Sequence, residues 1–221
     1  MVDNVAALVR LMLVTDDGLL QGRDLIEVAL SAQRGGITSL QLRLKQASAR
    51  ELAALTRRLV AALAVPVLVN DRPDVAIAAG AAGVHLGPDD LPVDLVRRIA
   101  PPGFLIGASV GSEAEADHAQ GAHYWGIGPW RTTATKSDAG GALGPEGFER
   151  LVSLAGARPC VAIGGVLPED LPTVLRSGGS GVAVVSGILG SPNVEQAARR
   201  YARQVGSVFT VPPPRCPAAR V

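Results

Sequence analysis

The chain has 221 residues, 48% of them hydrophobic, with 26 glycines, 16 prolines and only 3% aromatic residues. A formal charge of +1 gives no electrostatic case for binding nucleic acid or an anionic membrane, although a local phosphate site needs only a few placed groups. Cys160 and Cys216 match no metal spacing and exclude a disulfide-rich scaffold or a cysteine-built zinc cluster, and no apolar run approaches the ~20 residues of a membrane helix.

With no basic-then-apolar leader at the start, a cytoplasmic protein is the expectation. Short apolar runs predict strands at 11–14, 39–42, 67–69, 83–86, 105–107, 124–127, 161–163 and 181–185. Most are continuously apolar, as strands covered on both faces must be. Helical Ala/Leu/Arg stretches lie between and after them, at 24–32, 48–63, 73–79, 92–99, 112–120, 145–154, 168–176 and 194–205. Ser48 and Glu51 have capping-box spacing at the start of the clearest helix. Glycines such as Gly80 and Gly178 follow helices and precede strands, as in the short return loops under a barrel. Eight such units predict a single-domain (β/α)8 TIM barrel over residues 1–206, with a doubly wound open sheet as the rival. With so few aromatics, the core is expected to be aliphatic. Residues 207–221 carry three consecutive prolines and read as a disordered tail.

A barrel carries its chemistry at the C-terminal ends of its strands. The second strand runs into Gln41-Leu42-Arg43-Leu44-Lys45, where alternation puts Gln41, Arg43 and Lys45 on one side. An inward cation there meets either a ligand anion or an Arg–Asp network closing the barrel. The third strand ends at Asn70-Asp71 and the fourth leads to Asp90. Either carboxylate alone reads equally well as a cap for the following helix. Together, on neighbouring strands, they suit a hard divalent cation such as Mg2+, which binds through one or two carboxylates and substrate phosphates. Ser109 ends the fifth strand, where it either donates to a ligand or closes a turn. After the sixth comes a long loop with Thr133, Ala134, Thr135 and Lys136, two hydroxyls and a cation suited to phosphate oxygens or, alternatively, a polar linker. Gly164-Gly165 and Val185-Ser186 follow the seventh and eighth strands, where barrel enzymes recurrently bind phosphate through backbone donors. His85 reads as a core residue, and no Ser–His–Asp arrangement is suggested. The pattern is two phosphate regions, a divalent cation and no nucleophile, which favours charge stabilisation on phosphorylated small molecules.

Taken in order, QLRLK at 41–45, NDRPDVA at 70–76, GVHLGPDDLP at 83–92, IGAS at 106–109, GIGPWRTTATKSDA at 126–139, AIGGV at 162–166 and GVAVVS at 181–186 resemble the thiamine-phosphate synthase family. The resemblance implies a (β/α)8 transferase joining a hydroxymethylpyrimidine diphosphate to a thiazole phosphate, with release of pyrophosphate by a dissociative path. It implies Mg2+ on Asp71 and Asp90. It also implies pyrimidine-diphosphate contacts at Gln41, Leu42, Arg43, Leu44, Lys45, Asn70, Ser109 and Lys136, of which Arg43, Lys45, Ser109 and Lys136 are the catalytic set. Thr133, Ala134, Thr135, Gly165, Val185 and Ser186 would then hold the thiazole phosphate. Two departures stand out: Leu44, where many members carry an acid, and Trp130-Arg131-Thr132 before the Thr-x-Thr-Lys core. A thiazole tautomerase of the same superfamily and a non-catalytic thiazole-phosphate-binding protein are the alternatives. Homo-oligomerisation is left open by the sequence.

Overall fold

The computed structural model of the chain describes residues 5–132 and 141–209. The strands are β1 (Leu11–Val14), β2 (Ser39–Leu42), β3 (Val67–Asn70), β4 (Gly83–Leu86), β5 (Leu105–Val110), β6 (Tyr124–Ile127), β7 (Cys160–Ile163) and β8 (Gly181–Val184). They form a closed parallel barrel in chain order, and β8 returns to β1 with Leu11 opposite Val182. The doubly wound alternative is thereby excluded. The helices are α1 (Val5–Leu8), α2 (Asp17–Leu20), α3 (Leu25–Gly35), α4 (Ala49–Ala62), α5 (Pro73–Ala78), α6 (Val93–Ile99), α7 (Glu113–His118), α8 (Gly144–Ala155), α9 (Leu171–Arg176), α10 (Ser186–Leu189) and α11 (Val194–Phe209).

The predicted strands all form, some with shifted ends. β5 runs on through Ser109 because Ser109 pairs with Gly126 on β6, and β3 includes Asn70 because it pairs with His85. The capping box forms as the spacing predicts: Glu51 Oε2 accepts from the Ser48 amide at 2.9 Å, and the Glu51 amide donates to Ser48 Oγ at 3.3 Å. Three four-residue helices, α1, α2 and α10, were not predicted, since one turn is too short to show periodicity. The last helix continues to Phe209, past the expected boundary at 206, while positions 210–221 lie outside the described residues.

Strand alternation separates two apolar layers. Met12, Val14, Leu68, Leu105, Tyr124, Val161 and Ala183 fill the barrel lumen. Leu13, Leu40, Leu42, Val69, Val84 and Ile106 pack outward against the helices. The core is aliphatic as expected, built mainly of Ala, Val, Leu and Ile, and the rings of Phe104, Tyr124, Trp125, Trp130, Phe148 and Tyr201 are buried with them. The few rings thus serve the interior rather than the surface. Trp125, for example, donates from Nε1 to the Ala119 carbonyl at 3.0 Å and carries the Arg158 guanidinium 4.8 Å from its ring centre.

The helical ring closes where α11 lies on α3. A Cβ at Gly35 would stand 2.5 Å from both Ala198 Cβ and the Glu195 carbonyl oxygen, so the two backbones meet there without an intervening side chain. Arg34 Nε reaches across the same seam to Glu195 Oε2 at 3.1 Å.

Candidate active site

Closing the barrel gathers the ends of β2, β3, β4, β5, β7 and β8 around one mouth. The Arg43 side chain is largely buried there. Its Nη1 pairs with Asp16 Oδ2 at 3.3 Å, so the Arg–Asp network read as one alternative for this cation is present. Thr15 Oγ1 accepts from the Arg43 amide at 2.8 Å and donates to the Arg43 carbonyl at 3.0 Å. Asp17 Oδ2 accepts from the Lys45 amide at 2.7 Å. The polar run Thr15-Asp16-Asp17 thus fixes the β2 loop, a role missed when only the later strand ends were considered. Its signal, three polar residues directly after an apolar run, was in the sequence.

The β2 segment does not present all its residues to the mouth. Gln41 is buried within the lumen, with Nε2 3.5 Å from Met12 Sδ. Leu42 is fully buried in the outer layer and Leu44 packs against that layer. The Leu42 side chain is therefore turned away from the mouth. Lys45 is exposed and lies close enough to Asp90 to favour its charged form.

Asp71 and Asp90 come together. Asp71 has φ 63°, a left-handed conformation rare outside glycine, and its amide donates to the His85 carbonyl at 2.8 Å. Asp90 Oδ2 accepts from the Gly87 amide at 2.6 Å. Neither carboxylate caps the helix that follows it: α5 and α6 begin without a side-chain cap. Burial pushes the Asp90 carboxyl up to about 6, and the Asp71 carboxyl, within hydrogen-bonding reach of it, adds to the rise, while the Gly87 amide and Lys45 oppose it. Two hard oxygen donors held side by side at the cost of mutual repulsion are a donor set that fits a divalent cation. Asn70 is half-buried beside them at the end of β3. Ser109 Oγ lies 3.0 Å from His85 Nε2.

On the opposite arc, Gly164 and Gly165 have φ 90° and 70°, and the Arg131 amide donates to the Gly164 carbonyl at 2.9 Å. A Cβ at Gly165 would be 3.0 Å from Arg131 Cβ, so Arg131, just after β6, packs directly against this turn. Val185 is half-buried, and exposed Ser186 begins α10 on the neighbouring strand end. Thr133, Ala134, Thr135 and Lys136 lie outside the described residues.

The unusual Trp130-Arg131 pair anchors the start of that loop. Trp130 is buried edge-on against Phe148, with ring centres 5.6 Å apart. Arg131 makes a two-pronged pair with Asp170, the Nη2–Oδ1 arm at 2.6 Å, and Asp170 Oδ2 also accepts from the Leu167 amide at 2.7 Å. Burial raises the Asp170 carboxyl, but Arg131 and the Leu167 amide outweigh it and leave it below the usual carboxylate range. Its contribution to stability is therefore present above the ordinary value near 4 and is lost as pH falls through the lowered one. Asp170→Ala is expected to cost about 2 kcal/mol at neutral pH. Chemical denaturation of both proteins at neutral and strongly acidic pH checks this, because the difference between them must shrink in acid.

His118 is exposed on α7, and His123 Nδ1 accepts from the Ile106 amide at 2.9 Å at the far end of β6. Cys160 is buried, and burial pushes its thiol up to about 12, which makes it an inert core residue.

Comparison with known proteins places this geometry. A sequence model of the family described as thiamine monophosphate synthase matches residues 11–188. A thiamine-phosphate synthase of Azorhizobium caulinodans is 46% identical over 194 residues, covering 86% of this chain and 91% of its own length. The chain belongs to the thiamine monophosphate synthase family. Membership makes it a transferase of thiamine biosynthesis. A second thiamine-phosphate synthase, from Methanoculleus marisnigri, is 44% identical over 86% of this chain and 92% of its own. Among solved structures, thiamine phosphate pyrophosphorylase from Pyrococcus furiosus superposes with a TM-score of 0.82 at 34% identity, covering 93% of this chain and all of its own. A 3-hexulose-6-phosphate synthase, at 17% identity and a TM-score of 0.64, shares the barrel alone. Among the described residues, no helix is long and apolar enough to cross a membrane.

Proposed function

We propose that the chain joins 4-amino-2-methyl-5-hydroxymethylpyrimidine diphosphate to 4-methyl-5-(2-hydroxyethyl)thiazole phosphate, giving thiamine phosphate and pyrophosphate. The observation that carries this reading is the Asp71–Asp90 carboxyl pair facing Lys45 at the mouth of a family barrel. Asp71 and Asp90 would hold Mg2+, which when bound supplies positive charge beside the diphosphate oxygens.

In a dissociative reaction the C–O bond to the diphosphate breaks first, and both electrons leave with pyrophosphate. The electron-rich aminopyrimidine carries the resulting carbocation until the thiazole nitrogen lone pair forms the new C–N bond. Neither step calls for a protein nucleophile, in keeping with a mouth lined by charges and backbone rather than a triad. Arg43, steadied by Asp16, and Lys45, steadied by Asp17, face the leaving group with cations whose backbone is already ordered. Ser109 and Asn70 would add hydrogen bonds to the pyrimidine diphosphate. Gly165 with Val185 and Ser186 would cradle the thiazole phosphate, and Thr133, Ala134, Thr135 and Lys136 would complete the enclosure.

Purified protein given both phosphorylated substrates and Mg2+ should release thiamine phosphate and pyrophosphate in equal amounts, and a chelator should stop both. Folded protein that binds thiazole phosphate without turnover would replace this reading with a binding role. Isomerisation of a thiazole phosphate alone would replace it with a tautomerase.

A further inference from the structure

Beneath the mouth, a line of polar side chains crosses the apolar lumen. Tyr124 on β6 is fully buried, and its ring fits because the residue opposite it on β5 is Gly107, where a Cβ would stand 2.2 Å from the ring carbon Cζ. Gly126 leaves similar room for the His85 ring, its virtual Cβ lying 3.1 Å from His85 Cε1. His85 bridges the two levels. Its Nδ1 is 2.9 Å from the Tyr124 hydroxyl and its Nε2 is 3.0 Å from Ser109 Oγ. Below, Gln41 donates from Nε2 to Met12 Sδ at 3.5 Å and lies close enough to Tyr124 to act on its hydroxyl.

The distances along this line favour one assignment of its donors and acceptors. Gln41 favours the charged form of Tyr124, as a donor to the tyrosine oxygen does. The Tyr124 proton then has two acceptors, Met12 Sδ at 3.9 Å and His85 Nδ1 at 2.9 Å. A thioether at that distance is a poor acceptor beside an imidazole nitrogen at ordinary hydrogen-bond length. With Nδ1 accepting, the neutral ring carries its proton on Nε2 and donates it to Ser109 Oγ. Ser109 Oγ, accepting from Nε2, then keeps its own proton for another partner.

We infer that Tyr124 and His85 are positioning residues that fix Ser109 as a hydrogen-bond donor, so that the ligand group it meets must be an acceptor such as a phosphate oxygen. The consequence for the ligand rests on the reading of Ser109 as a substrate contact. The tautomer of His85 does not, and is tested without substrate.

The chain has three histidines, so imidazole 15N NMR of the ligand-free protein resolves them individually. His85 should show a protonated Nε2 and an acceptor Nδ1, and Tyr124→Phe should let the other tautomer appear. A proton on Nδ1 in the unaltered protein overturns the inference, whatever the turnover assay gives. In kinetics, Tyr124→Phe and His85→Leu should each lower kcat/KM by about tenfold, the scale of one mispaired hydrogen bond. His85→Gln, whose amide donor can take the place of Nε2–H, should recover most of the loss. Equal losses in His85→Gln and His85→Leu, with both folded, would mean that the ring only fills space.

Discussion

Asp71→Asn is expected to lower kcat/KM by about a thousandfold while leaving the barrel folded, the scale of several kcal/mol that a catalytic divalent ion supplies. Asparagine is the informative replacement because residue 71 has φ 63°, which asparagine tolerates and alanine does not. Steady-state kinetics at several Mg2+ concentrations provide the first measurement, and wild-type turnover in the variant at saturating Mg2+ would remove Asp71 from the metal site. The second is thermal unfolding with and without Mg2+. Because the Asp90 carboxyl is raised to about 6, the pair holds a proton below that pH and a cation must displace it. Stabilisation by Mg2+ should therefore grow as pH rises through about 6. In the metal-free protein this group works in the opposite sense: its raised value favours the folded state while it is protonated, and that stability is lost as pH rises from the ordinary value near 4 to about 6. Asp71→Asn should remove the first dependence and only weaken the second, because burial, the larger cause of the Asp90 rise, remains.

Gly107→Ala should be strongly damaging to the barrel. A Cβ there would lie 2.2 Å from Tyr124 Cζ and 2.5 Å from its hydroxyl oxygen, and the ring is enclosed on all sides. Either the ring leaves its slot or the β5–β6 pairing gives way. The expected loss is about 3 kcal/mol by denaturant unfolding, at the upper end for overpacking. Adding Tyr124→Leu should restore part of it, because the smaller side chain vacates the contested space. A Gly107→Ala protein as stable as the parent would show that the ring moves freely.

The barrel was legible because its strands are short, apolar and evenly interleaved with helices, and because Pro73, the Ser48–Glu51 box and glycines such as Gly80 and Gly178 mark where helices begin and end. The single-turn helices were not, since α2 depends on the Asp16 cap and α10 on the backbone of Val185 rather than on any period. At the site, Asp71 and Asp90 could be paired from strand order alone, as residues at adjacent strand ends must be neighbours. The depth of Gln41 could not, because alternation gives the side of the pleat but not the height within the lumen. His85 was read as a core residue, which is true of its burial. Its bond to Ser109 depends on the β4–β5 register and on the room left by Gly126, neither of which a linear pattern contains.

The contact of α3 with α11 at Gly35 joins segments about 160 positions apart, and β1 meets β8 over a similar span. During synthesis, β1 keeps an open edge until the final strand has left the ribosome. Until then the nascent sheet is a curved ribbon with two unpaired margins, the arrangement most prone to sticking to another copy. Closure is one late event rather than a gradual gain, so folding of this chain should be slow for its size and dependent on its last helix. Removing that helix should therefore lower the yield of closed barrel more than it lowers the order of the early strands.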